Sequence, residues 1–210
     1  MTLIPPGART VLFQGDSITE CGRLSDPDNP LGNGYVSMAA GLIRAARPDS
    51  GIAFVNRGVG GDRVADLRAR WQEDTLDVEP DVVSVLVGVN DTWYRYRAGE
   101  TTSAGAYEDD YRALLTQVRD RSDARLVLVE PFLVPVTAEQ WEWRTDLDPR
   151  IQVVRRLAEE FDAALLAADG LLNQAARTAG GPERIAGDGV HPTPLGHTLL
   201  ARAWAALTRP

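Results

Sequence analysis

The sequence predicts an α/β fold, a mostly parallel sheet sandwiched between helices. Short β-rich runs alternate with longer stretches of helical apolar spacing, as βαβ crossovers require. One of these runs, 82–87, is apolar but for Ser84, as a strand covered on both faces should be. Small and polar residues also follow several strands immediately, and an open α/β sheet binds ligands beyond the carboxyl ends of its strands.

The first strand is expected over 10–13, closing at Gly15. A helix follows over 35–47, with Tyr35, Met38, Ala39, Leu42, Ile43 and Ala46 at helical spacing and Pro48 ending it. The run 52–55 reads as a second strand. Residues 63 to about 77 read as a helix with Val64, Leu67, Trp71 and Leu76 near one face. After the strand at 82–87 come a helix over 104–121, a strand over 126–129 and a Trp-rich connection. A helix over 148–161, a short edge strand over 164–167 and a closing helix over 194–207 complete the order. No repeat, charge block or linker interrupts the 210 residues, so one domain over 1–210 is expected.

With 22 basic and 30 acidic side chains, the formal net charge is -8. Such a surface repels phosphate backbones and anionic headgroups, so neither nucleic acid nor membrane is an expected partner. Every basic side chain is Arg, which excludes Schiff-base, P-loop and Ser–Lys chemistry. Cys21 is the only cysteine, so no internal disulfide and no cysteine metal cage can form. The stretch from Met1 to Gly7 has no basic start and no apolar run of signal-peptide length, and the expectation is a cytoplasmic protein.

The segments expected at the carboxyl rim are Gly15-Asp16-Ser17, 56–61, Gly88-Val89-Asn90-Asp91 and Glu130-Pro131-Phe132. A serine hydroxyl is a weak nucleophile until a base takes its proton. Of the two histidines, His191 stands three residues after Asp188, close enough for the carboxylate to fold back onto the ring. Backbone N–H groups of Ser17 and Gly61 and the Asn90 amide would serve as oxyanion donors. Taken singly, Ser17 and Asn90 read as helix caps and the glycines as turn formers. His197 reads as a residue opening the last helix and bonding locally. A metal would want a third ligand, and none has suitable spacing. Asp16 and Asp91 read as braces for backbone N–H groups, and Cys21 as a small buried side chain.

Gly15-Asp16-Ser17-Ile18-Thr19 resembles the signature block of the GDSL, or SGNH, hydrolases, and Ser17, Gly61, Asn90 and His191 supply that family's four letters in order. The resemblance implies a flavodoxin-like three-layer α/β/α sandwich with a five-stranded sheet, and serine esterase chemistry with no metal or other cofactor. The chain resembles most the intracellular acetylxylan esterases, through Cys21-Gly22-Arg23, Gly34-Tyr35-Val36, Ala69-Arg70-Trp71 and Asn90-Asp91 with Trp93. Gly60 departs from a serine common there. An acetylated sugar is thus the expected substrate, with Trp93 and Tyr94 facing it and Trp141 and Trp143 as a lip over the pocket. The alternatives are a short-chain aryl esterase, thioesterase or lysophospholipase on the same site, and a non-catalytic carbohydrate-binding protein. Trp71 and Trp204, both at helical apolar positions, read as core packing or a subunit interface. Related sugar esterases often assemble, so a homo-oligomer is expected, with Trp204, as an exposed aromatic, suited to the interface.

Overall fold

Five strands form one sheet in the order β2-β1-β3-β4-β5, and every neighbouring pair is parallel. They span Thr10–Gly15 (β1), Ala53–Asn56 (β2), Val82–Leu86 (β3), Arg125–Val129 (β4) and Ala164–Leu166 (β5). This computed structural model describes residues 3–208; Met1 and Thr2, which head the N-terminal stretch considered above, lie outside the described residues, as do 209 and 210. The strand order is the flavodoxin-like one, and it reverses direction between β1 and β3.

Eight α-helices accompany the strands among the described residues: α1 (Ser17–Glu20), α2 (Tyr35–Ala46), α3 (Val64–Trp71), α4 (Val89–Ala98), α5 (Ala104–Arg121), α6 (Ala138–Glu160), α7 (Ala168–Thr178) and α8 (Pro194–Ala206). Alternating strand residues feed two separate apolar layers. Val11 and Phe13 pack with α2, α7 and α8, whereas Leu12, Val83 and Val85 pack with α3, α5 and the second half of α6. The sheet is therefore covered on both faces, as the run at 82–87 predicts.

Several expectations need correction. The Trp-rich connection is the first half of α6, which runs through Pro149 to a total of 23 residues. Pro149 breaks the apolar pattern, and that hides the helix from periodicity. Its lost N–H is tolerated while Trp143, Leu147 and Ile151 remain buried on the core side. Trp143 is thus core and forms no lip, while Trp141 is 62% exposed. Trp204 is 0% exposed and is not available to an interface. It packs 4.8 Å from the Phe13 ring and donates its indole N–H to Ser84 Oγ at 2.9 Å. The helix expected over 63–77 changes to a π-helical segment at Gln72–Leu76, where Gln14 Nε2 donates to the Asp74 carbonyl and Thr75 Oγ1. Helices α1 and α4 carry no long apolar stripe, whereas α7 turns Ala168, Leu172 and Ala176 to the core; none of the three is among the expected helices. Among the described residues no helix is long and apolar enough to cross a membrane.

Trp204→Phe keeps an aromatic ring against Phe13 but strands a fully buried Ser84 hydroxyl. A loss of about 2 kcal/mol is expected from the orphaned group, or roughly 4–8 °C in Tm for a chain of this size. Thermal unfolding followed by circular dichroism checks it.

Candidate functional site

Pairing of Gly15 with Leu86 brings the ends of β1 and β3 side by side, and the residues that follow them converge there. After β1 the chain turns at once into α1. Asp16 caps this helix, its Oδ1 accepting the Ile18 N–H at 3.0 Å, so Ser17 is the first helical residue and not the cap. Its hydroxyl remains half-exposed, while Asp16 beneath it is buried. After β3, Gly88 opens α4 and Asn90 lies inside the helix, so it too caps nothing.

His191 arrives from the far end of the sequence on a turn between α7 and α8. Its Nε2 lies 2.9 Å from Ser17 Oγ, and its Nδ1 lies 2.6 Å from Asp188 Oδ2. The other carboxylate oxygen accepts the backbone N–H groups of Val190 at 2.9 Å and His191 at 2.7 Å. With Nδ1 donating to Asp188, Nε2 presents its lone pair to the serine hydroxyl. Partial burial would raise Asp188, but the His191 ring and the two backbone donors outweigh it and hold the carboxyl well below its usual range. The hydrogen bond to Asp188, aided by the charges of Asp188 and Asp16, pushes His191 above its ordinary 6.5 despite burial. Asp16 behaves oppositely: desolvation lifts it to about 7, since it has one backbone donor and a second oxygen with no partner.

Opposite Ser17 lies the 56–61 loop. Gly61 has φ +87°, a left-handed conformation that disfavours any Cβ. Among the described residues neither the N–H of Gly61, in the turn ahead of α3, nor that of Ser17, the first residue of α1, donates to an acceptor outside these segments. Asn90 Nδ2 gives one hydrogen to the Asp62 carbonyl at 3.0 Å, which leaves the amide's second hydrogen free. Asp91 Oδ2 accepts the Val64 N–H at 3.4 Å, tying α4 to the start of α3. Burial raises this carboxyl to about 6.

The sequence pattern of the GDSL-like lipase/acylhydrolase family matches residues 13–199. The chain belongs to this family. It is a carboxylic ester hydrolase by that membership and by its likeness to an acetylxylan esterase of Geobacillus stearothermophilus, 37% identical over 92% of this chain and 91% of the relative. A crystal structure of that esterase, Axe2, matches with a TM-score of 0.89 at 34% identity, covering 98% of this chain and 96% of the other. A protein of Parabacteroides merdae assigned as a GDSL-like lipase matches with a TM-score of 0.92 at 34% identity, over 99% of both chains. Serine, aspartate and histidine variants of Axe2 described as catalytic mutants are also among its structural neighbours.

Around this family's shared frame, aromatic side chains border the site. The Trp93 ring stands edge-on to His191 at 6.0 Å and to Trp143 at 5.5 Å. Tyr94 places its hydroxyl 3.0 Å from where a Cβ on Gly61 would lie, and Arg63 stacks over its ring at 5.2 Å. His197 is buried beside the site and bonds across the fold, not locally. Its Nδ1 accepts the Tyr35 N–H at 3.1 Å and its Nε2 lies 3.4 Å from Cys21 Sγ, while desolvation lowers it to about 4. Cys21 itself is half-buried and ends α1 in the left-handed region. Sequence reasoning gave Arg70 no role. It reaches under the loop to Asp62, Asp74, Gln14 and the carbonyls of Arg57 and Gly15, so one guanidinium fixes the floor of the donor loop.

Gly61→Ala should lower stability by about 1–2 kcal/mol for the left-handed backbone alone, and its Cβ would press on the Tyr94 hydroxyl. A thermal melt alongside Gly60→Ala, whose added Cβ meets only Ser17 Cβ at 3.8 Å, separates this strain from a general loop effect.

Proposed function

We propose that Ser17, His191 and Asp188 form the catalytic triad of an esterase that removes acetyl groups from acetylated sugars such as xylo-oligosaccharides. The observation that carries the reading is the unbroken chain from Ser17 Oγ to His191 Nε2 at 2.9 Å and from His191 Nδ1 to Asp188 at 2.6 Å. His191 takes the Ser17 proton as the hydroxyl attacks the acetyl carbonyl. Negative charge then gathers on the carbonyl oxygen, where the Ser17 and Gly61 N–H groups and the free Asn90 hydrogen receive it. His191 next protonates the departing sugar hydroxyl. Water, deprotonated by the same imidazole, releases acetate from the acyl-enzyme. In Axe2 the aspartate and histidine of the catalytic mutants stand three residues apart, as Asp188 and His191 do, and this supports the assignment.

The sugar substrate draws support from the acetylxylan esterase likeness and from the aromatic border. Trp93 offers an apolar ring beside the imidazole that would protonate the sugar oxygen, and Tyr94 offers a hydroxyl beside Gly61. Pyranose rings are held by such pairs of apolar faces and fixed polar groups.

Acetate release from peracetylated xylose, and aryl acetate against aryl octanoate, measured with wild type and Ser17→Ala, tests both halves of the proposal. Expected are acetate release, a preference for the short acyl chain, and a fall of roughly 10³–10⁶-fold in Ser17→Ala. Undiminished turnover in Ser17→Ala would remove the triad. A preference for octanoate would remove the sugar-acetate reading alone.

A base with a raised pKa stays protonated, and so idle, up to a higher pH than free imidazole. The acid limb of kcat/KM should therefore have its midpoint above 6.5. Asp188→Asn should move that midpoint down and lower kcat by roughly 10²–10⁴-fold. An acid limb at or below 6.5 in wild type would contradict the tight His191–Asp188 contact.

A further inference from the structure

We infer that Gln140, in the first turn of α6, is a positioning residue that holds the Asp188–His191 pair against Ser17. The inference rests on the triad reading above. Asp188 and His191 have side chains 47% and 49% exposed, on a turn that includes Gly187 and Gly189. The hydrogen bonds from Val190 and His191 to Asp188 close that turn on itself, and the buried Val190 side chain pins one side of it to the core. The Asp188 side, flanked by two glycines and open to solvent, has no apolar anchor and shifts at low free-energy cost, so a contact from outside the turn must set its distance to Ser17.

Gln140 meets that need. It is only 5% exposed, and its amide bonds at both ends. Oε1 accepts the Val136 N–H at 2.8 Å, and Nε2 donates to the Asp188 carbonyl at 2.6 Å. The amide also lies flat on Gly189. A Cβ on that residue would fall 2.5 Å from Oε1 and 2.7 Å from Nε2, and φ is +86°. The Gly189 carbonyl in turn accepts the Val134 N–H at 2.8 Å. The Asp188–Gly189 peptide is thus gripped from the 134–140 segment, which continues from β4. Gln140 is itself anchored, because its N–H donates to the capping Thr137 Oγ1 at 3.3 Å.

The chemistry selects glutamine. Glu would keep the acceptor for Val136 but offer no donor to the Asp188 carbonyl. Asn falls a methylene short, and Leu has neither group. Loosening the grip leaves every triad atom present but lets the Asp188–His191 unit drift. Misplacement on the order of 1 Å suffices to cost ~10²-fold in rate.

The test uses Gln140→Leu and the uncharged, similarly long Gln140→Met, read out as pH profiles of kcat/KM and as the far-downfield NMR resonance of the proton shared by His191 and Asp188. Both variants should lose roughly 10–100-fold in kcat with KM within about twofold. The acid limb should shift down, as in Asp188→Asn, and the downfield resonance should broaden or vanish. In the double variant Gln140→Leu/Asp188→Asn the loss should not exceed that of Asp188→Asn, because both act through the same contact. If Gln140→Leu does not fold, Gln140→Met alone carries the comparison. Folded Gln140 variants with an unchanged acid limb and an unchanged downfield resonance, beside a crippled Asp188→Asn, would overturn the positioning role while sparing the triad. Additive losses in the double variant would do the same. An unimpaired Asp188→Asn would overturn the triad reading and the inference together.

Discussion

Everything at the site hangs from the parallel pairing of β1 with β3. Gly15 stands opposite Leu86, so the chain leaves both strands at one level. Ser17 follows the first exit within two residues and Asn90 follows the second within four. The topology diverges at this point, with β2 on one side and β4 on the other. Open α/β sheets bind ligands at such a point, beyond the carboxyl ends of the strands where the crossovers part. The 56–61 loop closes one wall because β2 pairs with β1 in the same register frame, Phe13 opposite Asn56. Strand register therefore brings the segments that carry the serine, the glycine and the asparagine together.

The histidine comes by a different route, and its partner is set by solvation. Two carboxylates act on His191: Asp188 on its own turn and Asp16 beneath the serine. Asp16 has the more enclosed position, where an unscreened charge would act most strongly. Yet enclosure with a single donor lifts it to about 7, so much of its charge is absent near neutrality. Asp188 is half in solvent and collects three donors, which keep it ionised. The exposed carboxylate is thus the dependable one, and its exposure raises the question of what holds its turn in place.

The sheet was legible in the sequence because burial on two faces leaves continuous apolar runs, and all five strands fell within two residues of their observed ends. The site residues were legible for another reason: exits from strands are short, so chemistry clusters in a few positions next to them. Sequence reasoning fails where polar contacts replace apolar periodicity. Pro149 conceals the first half of α6, and the tryptophans on it then read as surface features although Trp143 is core. Gln140 carried no signal, and Arg70 stood only within the Ala69-Arg70-Trp71 resemblance with no role to it, since each acts through partners that only the fold brings near.

Helix α4 shows the same limit at its sharpest. It carries Asn90, Trp93 and Tyr94, yet buries only Val89, Asn90, Asp91 and Thr92. Apolar burial therefore fixes one end of the helix, and beyond it only Trp93 and Tyr96 pack in part against Trp143. Polar contacts to α6 add to that constraint. Asp146 accepts Thr92 Oγ1 at 2.9 Å and Arg95 at 3.0 Å, and its carboxylate is paired with the fully buried Arg150 at 2.7 Å. Tyr96 adds a bond to the Glu142 carbonyl at 2.8 Å. A buried ion pair of this kind contributes little net stability compared with a well-packed apolar replacement. Its directional bonds do what an apolar patch cannot: they select one rotation of α4. That rotation carries the Asn90 amide to Asp62, the Trp93 ring to His191 and the Tyr94 hydroxyl to Gly61.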